Sequence, residues 1–358
     1  MTTTVASPEP HKAKVRKFPC GGCGADLRWE PGAAALKCPY CGVEKRIEAP
    51  SAEVAEKPLD AGLRAPRDLG WGAERKVMLC KRCGAHTALD PHMFASSCAF
   101  CGTAAVVEAP NNPNFIRPEG LLPFVVTRET AMQSFRDWLG RLWFRPNDLK
   151  SKSRVTNIQG AYIPFWTFDA ATHSAWTAEA GHYYYTTENN KRVRRVRWVP
   201  ASGTLEHFFD DLPVPASRGI DADICQGIEP YPTSDLTPYE PSYLSGFLAE
   251  ENAIDLPEAL ETAKMRMRQE LRDACAREVP GDTHRNLVVD TVFSAIAYKN
   301  CLLPIWVAAY DYKSQPYRFL VNGVTGKAHG NAPWSWVKIT FAVLFALIVF
   351  LTVMYLND

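Results

Sequence analysis

Apolar spacing divides most of this chain into helices and strands. Met132, Phe135, Leu139 and Leu142 recur three or four positions apart after Thr127, predicting a helix that runs to about Phe144 and stops at Pro146. Residues 161–168 form an apolar strand, and 182–187 and 193–199 flank Glu188-Asn189-Asn190 as a hairpin. Residues 210–245, rich in Pro, Asp and Ser, predict an irregular connection. A second helix begins with Asp255 as N-cap, Pro257 just inside and Glu258 completing a capping box. Leu260, Ala263, Met267, Leu271, Ala274 and Cys275 line its inner face, and Pro280-Gly281 ends it. Strands at 286–298, 302–312 and 317–322 follow, then a turn at Gly323 and Gly326. Each half therefore reads as a helix followed by antiparallel strands, and each holds a Pro-x-Trp strand: Ile163-Pro164-Phe165-Trp166 and Leu303-Pro304-Ile305-Trp306. An internally duplicated α+β body and convergent strand composition both account for this.

The last pattern differs from the others. Residues 339–356 carry no charge, and as a helix they span roughly 27 Å, close to the hydrocarbon thickness of a bilayer. Trp334 and Trp336 stand before this run and Tyr355 at its end, where interfacial aromatics belong. Lys327 and Lys338 precede it and only Asn357 and Asp358 follow. The expectation is a single transmembrane helix at 337–356, with the bulk of the chain in the cytosol and the C-terminus across the membrane. A buried core helix is the competing reading.

Composition adds compartment and metal chemistry. The 358 residues are 46% hydrophobic and 22% charged with net charge +1, which indicates neither a nucleic-acid coat nor an acidic partner. The N-terminus has no apolar signal sequence. Eight of the eleven cysteines fall into one repeated spacing. Cys20, Cys23, Cys38 and Cys41 return sixty positions later as Cys80, Cys83, Cys98 and Cys101. Pro31 pairs with Pro91, and Glu48-Ala49-Pro50 with Glu108-Ala109-Pro110. Two C-x-x-C knuckles supply four thiolates that can close a tetrahedron around one metal ion. Gly24, Gly42, Gly84 and Gly102 follow the knuckles, where positive φ lets backbone N–H groups point at sulfur. The expectation is two Cys₄ sites holding two Zn²⁺ ions; iron in a rubredoxin-like site uses the same ligands. A disulfide framework or a redox dithiol fits the repeat less well. Cys275 and Cys301 read as small core residues.

The domain plan is a basic arm at 1–17 (Lys12, Lys14, Arg16, Lys17), ribbon one at 18–49, an Ala/Pro/Glu linker at 50–73, ribbon two at 74–109, a boundary at Asn111-Asn112-Pro113-Asn114, an α+β body with antiparallel sheet at 115–332, and the anchor. The linker suggests two similar modules on a flexible stalk, an arrangement that favours partner capture by avidity.

Catalytic patterns are missing from the sequence. There is no phosphate-binding G-x-x-x-x-G-K-[ST], no H-E-x-x-H and no G-x-S-x-G; Gly323-Val324-Thr325-Gly326-Lys327 reads as a strand turn. His173, His182, His207, His284 and His329 are dispersed, and Asp210-Asp211 reads as a solvated turn. Lys191, Arg192, Arg194, Arg195 and Arg197 crowd one strand. They form either a phosphate-binding stripe for nucleic acid or anionic lipid, or the charged face of an edge strand, and the edge strand is the favoured reading.

Five segments carry a resemblance: Trp143-Phe144-Arg145-Pro146-Asn147-Asp148-Leu149, Gly160-Ala161-Tyr162-Ile163-Pro164-Phe165-Trp166, Val214-Pro215-Ala216-Ser217, Leu303-Pro304-Ile305-Trp306 and Asn322-Gly323-Val324-Thr325-Gly326-Lys327. With the ribbons and anchor, they make the chain from about residue 18 onward resemble a bacterial family of tail-anchored zinc-ribbon membrane proteins with TFIIB-type ribbons. That resemblance implies partners of the phage-shock-protein-A type or SPFH (band-7) type, in envelope stress or membrane maintenance. Some members carry a primosomal-helicase label, which does not transfer because no ATPase motif is present. The resemblance brings the eight cysteine ligands and no catalytic residue. The expected function is thus a non-enzymatic membrane adaptor that recruits a cytosolic protein, with nucleic-acid binding as the alternative.

Overall fold

A computed structural model describes residues 18–47, 53–60, 76–89, 98–101, 103–104, 106–109, 116–149, 154–188, 191–313 and 315–357. The expected basic arm, Glu48-Ala49-Pro50, Pro91, Gly102, Pro110, residues 111–114 and the Asn189-Asn190 turn lie outside them.

Ribbon one contributes β1 (Arg28–Glu30), β2 (Ala35–Lys37) and β3 (Glu44–Lys45), an antiparallel three-stranded sheet. After β4 (Lys57–Pro58), ribbon two contributes β5 (Lys76–Cys80), β6 (His86–Leu89) and β7 (Val106–Ala109). The body opens with β8 (Gly120–Leu121) and α1 (Arg128–Arg141), then β9 (Arg154–Glu188) and β10 (Lys191–Pro215). It continues through α2 (Ala222–Gly227), β11 (Thr237–Pro238), β12 (Leu248–Glu250) and α3 (Leu256–Glu278). The chain then runs through β13 (Thr283–Tyr312), β14 (Gln315–Asn322), β15 (Ala328–Gly330) and α4 (Trp336–Asn357).

β9, β10 and β13 dominate, at 35, 25 and 30 residues. At about 3.3 Å per residue their contours run to roughly 80–115 Å. They pair antiparallel in the order β10-β9-β13, and register shifts at Phe209/Leu212, Arg285/Val288 and Ser294/Ala297 let them bend without ending. Asp211, Asn286 and Ala295 take positive φ at these bulges.

The expected helices form as their caps dictate. The Thr127 hydroxyl accepts from Thr130 N and the Asp255 carboxylate from Glu258 N. α1 buries Ala131, Phe135 and Leu139; α3 buries Leu256, Ala259, Ala263, Met267, Leu271 and Cys275.

Two prolines sit in central strands at matching places. Pro164 lies on β9 where one neighbour, β12 (parallel at Ala161 and Tyr162), gives way to β10, which begins pairing at Phe165. Pro304 lies on β13 where β8 (parallel at Cys301 and Leu302) gives way to β14, which begins at Ile305. A residue without an N–H fits at a handover between partner strands. Each proline carbonyl accepts a 2.8 Å hydrogen bond, from Ala216 N and Gly323 N respectively.

The two ribbons are not modules on a stalk. Leu27, Trp29 and Leu36 share a hydrophobic core with Phe124, Phe135 and Tyr243 of the body. Trp29 Nε1 donates to Phe124 O at 3.0 Å, and Trp29 N donates to Ser245 O at 3.0 Å. Ribbon two is joined through β6, which pairs with β12 at Ala88↔Ala249 and Thr87↔Glu250, while β12 pairs in turn with β9. Phe100 packs in one core with Ile163, Phe165 and Leu303. The linker also contributes: Lys57–Pro58 pairs with Tyr298 and Ala297 of β13. Among the described residues, the buried side chains of each ribbon cluster with those of the body, so each ribbon completes its core on the sheet.

α4 is long and apolar enough to cross a membrane, and its apolar stretch, Trp336–Leu356, is exposed along its whole length. A helix that leaves such a surface uncovered is not a core helix of this fold.

Candidate metal centres

All four knuckles fold alike. Cys20 N, Cys38 N, Cys80 N and Cys98 N each donate to the carbonyl five residues on, at 2.7–3.0 Å. Gly24, Gly42 and Gly84 take φ of +74°, +74° and +77°, and each donates its N–H to the carbonyl of the knuckle's first cysteine. This turn aims N–H groups at sulfur: Gly22 N donates to Cys20 Sγ and Phe100 N to Cys98 Sγ, both at 3.4 Å. The N–H groups of Cys41 and Tyr40 hold Cys38 down to about 6, and those of Cys23 and Gly22 lower Cys20. At these two the metal-binding thiolate is favoured, whereas Cys41, against the pull of the Val43 N–H, is pushed up to about 12 by the Cys20 and Cys38 sulfurs, and Cys23 is also raised.

The sequence-predicted ligands converge. The Sγ atoms of Cys20, Cys23, Cys38 and Cys41 lie within 4.8 Å of one another, as do those of Cys80, Cys83, Cys98 and Cys101. Cross-knuckle distances are 3.4 Å (Cys20–Cys41), 3.5 Å (Cys23–Cys38), 3.6 Å (Cys80–Cys101) and 3.7 Å (Cys83–Cys98). Bonds of 2.3 Å in a tetrahedron give sulfur–sulfur edges of about 3.8 Å, so both sets fit one ion each. All are too long for disulfides, whose S–S bond is about 2.05 Å. Four protein ligands fill a tetrahedral ion's coordination, which suits structural rather than catalytic metal. The sites differ in exposure: Cys23 and Cys41 are exposed, whereas in ribbon two Cys80, Cys98 and Cys101 are buried and Cys83 half-buried.

Cys225, Cys275 and Cys301 are buried in apolar cores. Among the described residues no histidine joins a metal-type cluster. The Asn322–Lys327 segment is a strand turn, with Asn322 Oδ1 accepting from Val324 N and Thr325 N at 2.9 and 3.0 Å and Asn322 N donating to Lys327 O. The basic residues fall on an edge strand, since β10 pairs with β9 alone among the described strands. Arg192 and Arg194 stack on Tyr185 and Tyr183, and Arg195 pairs with Glu188.

Two acidic features were not legible in the sequence. Asp210-Asp211 is a bulge in β10 rather than a turn: Asp210 stays solvated, and Asp211 is drawn inward. Asp211 accepts Lys299 Nζ at 2.8 Å, with side-chain exposures of 10% and 8%. The burial follows from the bulge, which turns Asp211 N toward Asp169 Oδ1 at 2.7 Å. Carboxylate oxygens of Glu56, Asp169 and Asp210 lie within 4.8 Å of one another, and Lys299 Nζ is 3.4 Å from Glu56. Burial, then the Glu56 carboxyl, push Asp169 up to about 7. Lys299 supplies a resident cation to this group. The second feature is Glu250, wholly buried where ribbon two joins the sheet. Burial pushes its carboxyl up to about 8, against the opposing pull of Ser217 and the His86 backbone. A lone Asp169 inside an apolar strand and a paired Glu250-Glu251 were the available signals.

No family model matches the chain, and no solved structure matches it. The chain is similar to YdjG of Bacillus subtilis (strain 168), an uncharacterised protein, at 27% identity over 327 residues, 91% of this chain and 92% of the relative. The likeness therefore extends over nearly the whole of both chains.

Proposed function

We propose that this protein is a tail-anchored, zinc-holding adaptor that recruits a cytosolic protein to the inner membrane of a bacterium. The observation carrying this reading is the mechanical continuity between the ribbons and α4. Ribbon one docks on the core that holds α1. The segment after α1 in turn accepts a hydrogen bond from the residue preceding α4, Ser335 N to Phe144 O at 2.9 Å. A surface on ribbon one is thus held in fixed relation to the anchor, and that surface includes Tyr40, 81% exposed between Cys38 and Cys41. Cys20, Cys23, Cys38 and Cys41 would hold one Zn²⁺ and Cys80, Cys83, Cys98 and Cys101 the other. The ions would supply folding free energy and no chemistry. The resemblance to the zinc-ribbon membrane family supports a phage-shock-protein-A-like or SPFH-like partner. Crosslinking in native membranes, comparing wild type with Cys23→Ser/Cys41→Ser, tests the reading: the variant should lose its main partners, and an unchanged partner set overturns it.

A second reading is nucleic-acid binding through the β9–β10 tip, favoured by one observation. Tyr183, Tyr184 and Tyr185 are exposed there beside Arg192 and Arg194, a combination that suits bases and phosphates. Binding to single-stranded oligonucleotides should then weaken steeply with salt, and no binding at low salt removes this reading.

We further infer that the body is internally duplicated. Val125 and Val126 N donate to Gly323 O, as Ala253 and Ile254 N donate to Ala216 O. The parallel pairs Leu121↔Leu302 and Ala249↔Tyr162 correspond in the same way. Across these matches the strand–cap–helix segment repeats after 128 positions and the Pro-x-Trp strand after 140.

A further inference from the structure

Most large aromatic side chains of the body are buried, but four are exposed together near the start of α4. Trp143 is 78% exposed, Phe144 42%, Trp334 58% and Trp336 75%. They come from two distant parts of the chain, which are tied to each other. Ser335 N donates to Phe144 O, and Lys338 Nζ donates to Trp143 O, both at 2.9 Å. The Arg145 guanidinium lies 3.7 Å from the centre of the Trp334 ring, and Lys338 Nζ lies 5.7 Å from that of Trp143. The loop after α1 and the start of α4 therefore form one aromatic and basic plate.

We propose that Trp143 and Phe144 seat in the headgroup–acyl boundary of the bilayer that α4 crosses, so the body is held to the membrane at two points rather than tethered by one helix. This rests on reading α4 as a membrane anchor. Depth carries the argument. Lys338 is the last charged residue before the uncharged run, so its ammonium marks the level of the headgroups. The Trp143 carbonyl accepts from that ammonium, and the Trp143 ring centre lies 5.7 Å from it, which places the indole at the depth tryptophan prefers. The Lys338 side chain leans back over the turn that holds Ser335, so Phe144, whose carbonyl accepts from Ser335 N, lies at the same level. The plate cannot swing away from α4 independently, because α1 is fixed in the body by buried Phe135 and Leu139. The occupant is the bilayer surface because the plate is continuous with the apolar segment of α4 and presents Lys338 beside its rings, as suits anionic headgroups.

The test uses the full-length protein in nanodiscs of phosphatidylcholine and phosphatidylglycerol. One lipid carries a photoactivatable diazirine, either next to the glycerol or at the acyl terminus. Labelled peptides are read by mass spectrometry. The glycerol-level probe should label both Trp143-Phe144 and the start of α4, and the acyl-terminal probe only the middle of α4. Labelling of α4 by both probes with none at Trp143-Phe144 overturns the plate and leaves the anchor standing. Labelling of neither segment overturns both. Trp143→Ser/Phe144→Ser gives an independent readout. It should stay carbonate-resistant yet be cleaved several-fold faster by protease within 142–149; unchanged cleavage overturns the plate.

Discussion

Trp166 and Trp306, on the paired strands β9 and β13, make the same kind of hydrogen bond. Trp166 Nε1 donates to Ile254 O at 3.0 Å, and Trp306 Nε1 donates to Val126 O at 2.9 Å. Each acceptor immediately precedes a helix N-cap, Asp255 and Thr127. The indoles cross over: β9, which follows α1, latches the start of α3, and β13, which follows α3, latches the start of α1. Trp166→Phe and Trp306→Phe should each cost about 1–3 kcal/mol, the penalty for a buried carbonyl left unpaired. Urea unfolding of the full chain in detergent measures both. Losses that differ several-fold would count against equivalent latches.

The two metal centres should empty at different rates. Exposed Cys23 and Cys41 leave ribbon one open to a chelator, whereas ribbon two lies in the body core. Zinc release into excess chelator, followed with a colorimetric indicator, is expected to be biphasic with one equivalent in each phase. Cys20→Ser should abolish the fast phase alone.

Lys299 and Asp211 are a buried pair, so removing one partner strands the other. Lys299→Met should destabilise by about 3–5 kcal/mol. Adding Asp211→Asn should recover much of this, since Asn tolerates the positive φ of +50° at that bulge. A double variant no more stable than Lys299→Met would contradict the pairing.

Glu250 gives stability a pH slope of known sign. Its folded value, raised to about 8 from an ordinary 4.5, means the folded chain binds the proton more tightly. Its contribution is complete below about pH 4.5 and is lost as pH rises through about 8, at up to about 1.4 kcal/mol per pH unit. Glu250→Gln should flatten the thermal stability of the zinc-loaded protein between pH 5 and 8. A variant that keeps the wild-type slope would assign the effect elsewhere.

Features fixed by local chemistry could be read from the residues. The cysteine spacing set both ligand groups, Asp255-x-x-Glu258 set a helix start, and the uncharged run at 339–356 set the apolar helix. The long strands could not be read in this way. Residues 170–181 alternate small and polar side chains with little β-propensity, and they form a strand because β10 and β13 bracket them. Val214-Pro215 looked like a loop because of its prolines, yet β10 is an edge strand, where a missing N–H costs no ladder bond. Ribbon docking was invisible for a similar reason: the Ser245 hydroxyl meets the Leu27 carbonyl across 218 residues, a distance that no periodicity reports.

The crossed tryptophans set a schedule for synthesis. Val126 leaves the ribosome 180 residues before the indole that will latch it, which at 5–20 residues per second is a wait of roughly 10–35 s. Throughout that interval α1 and ribbon one lack the part of their core that Trp306, Tyr310 and Phe319 supply. Trp306 then appears only about 30 residues ahead of Trp336, where α4 begins. The body therefore closes just as the long apolar helix α4 emerges behind it.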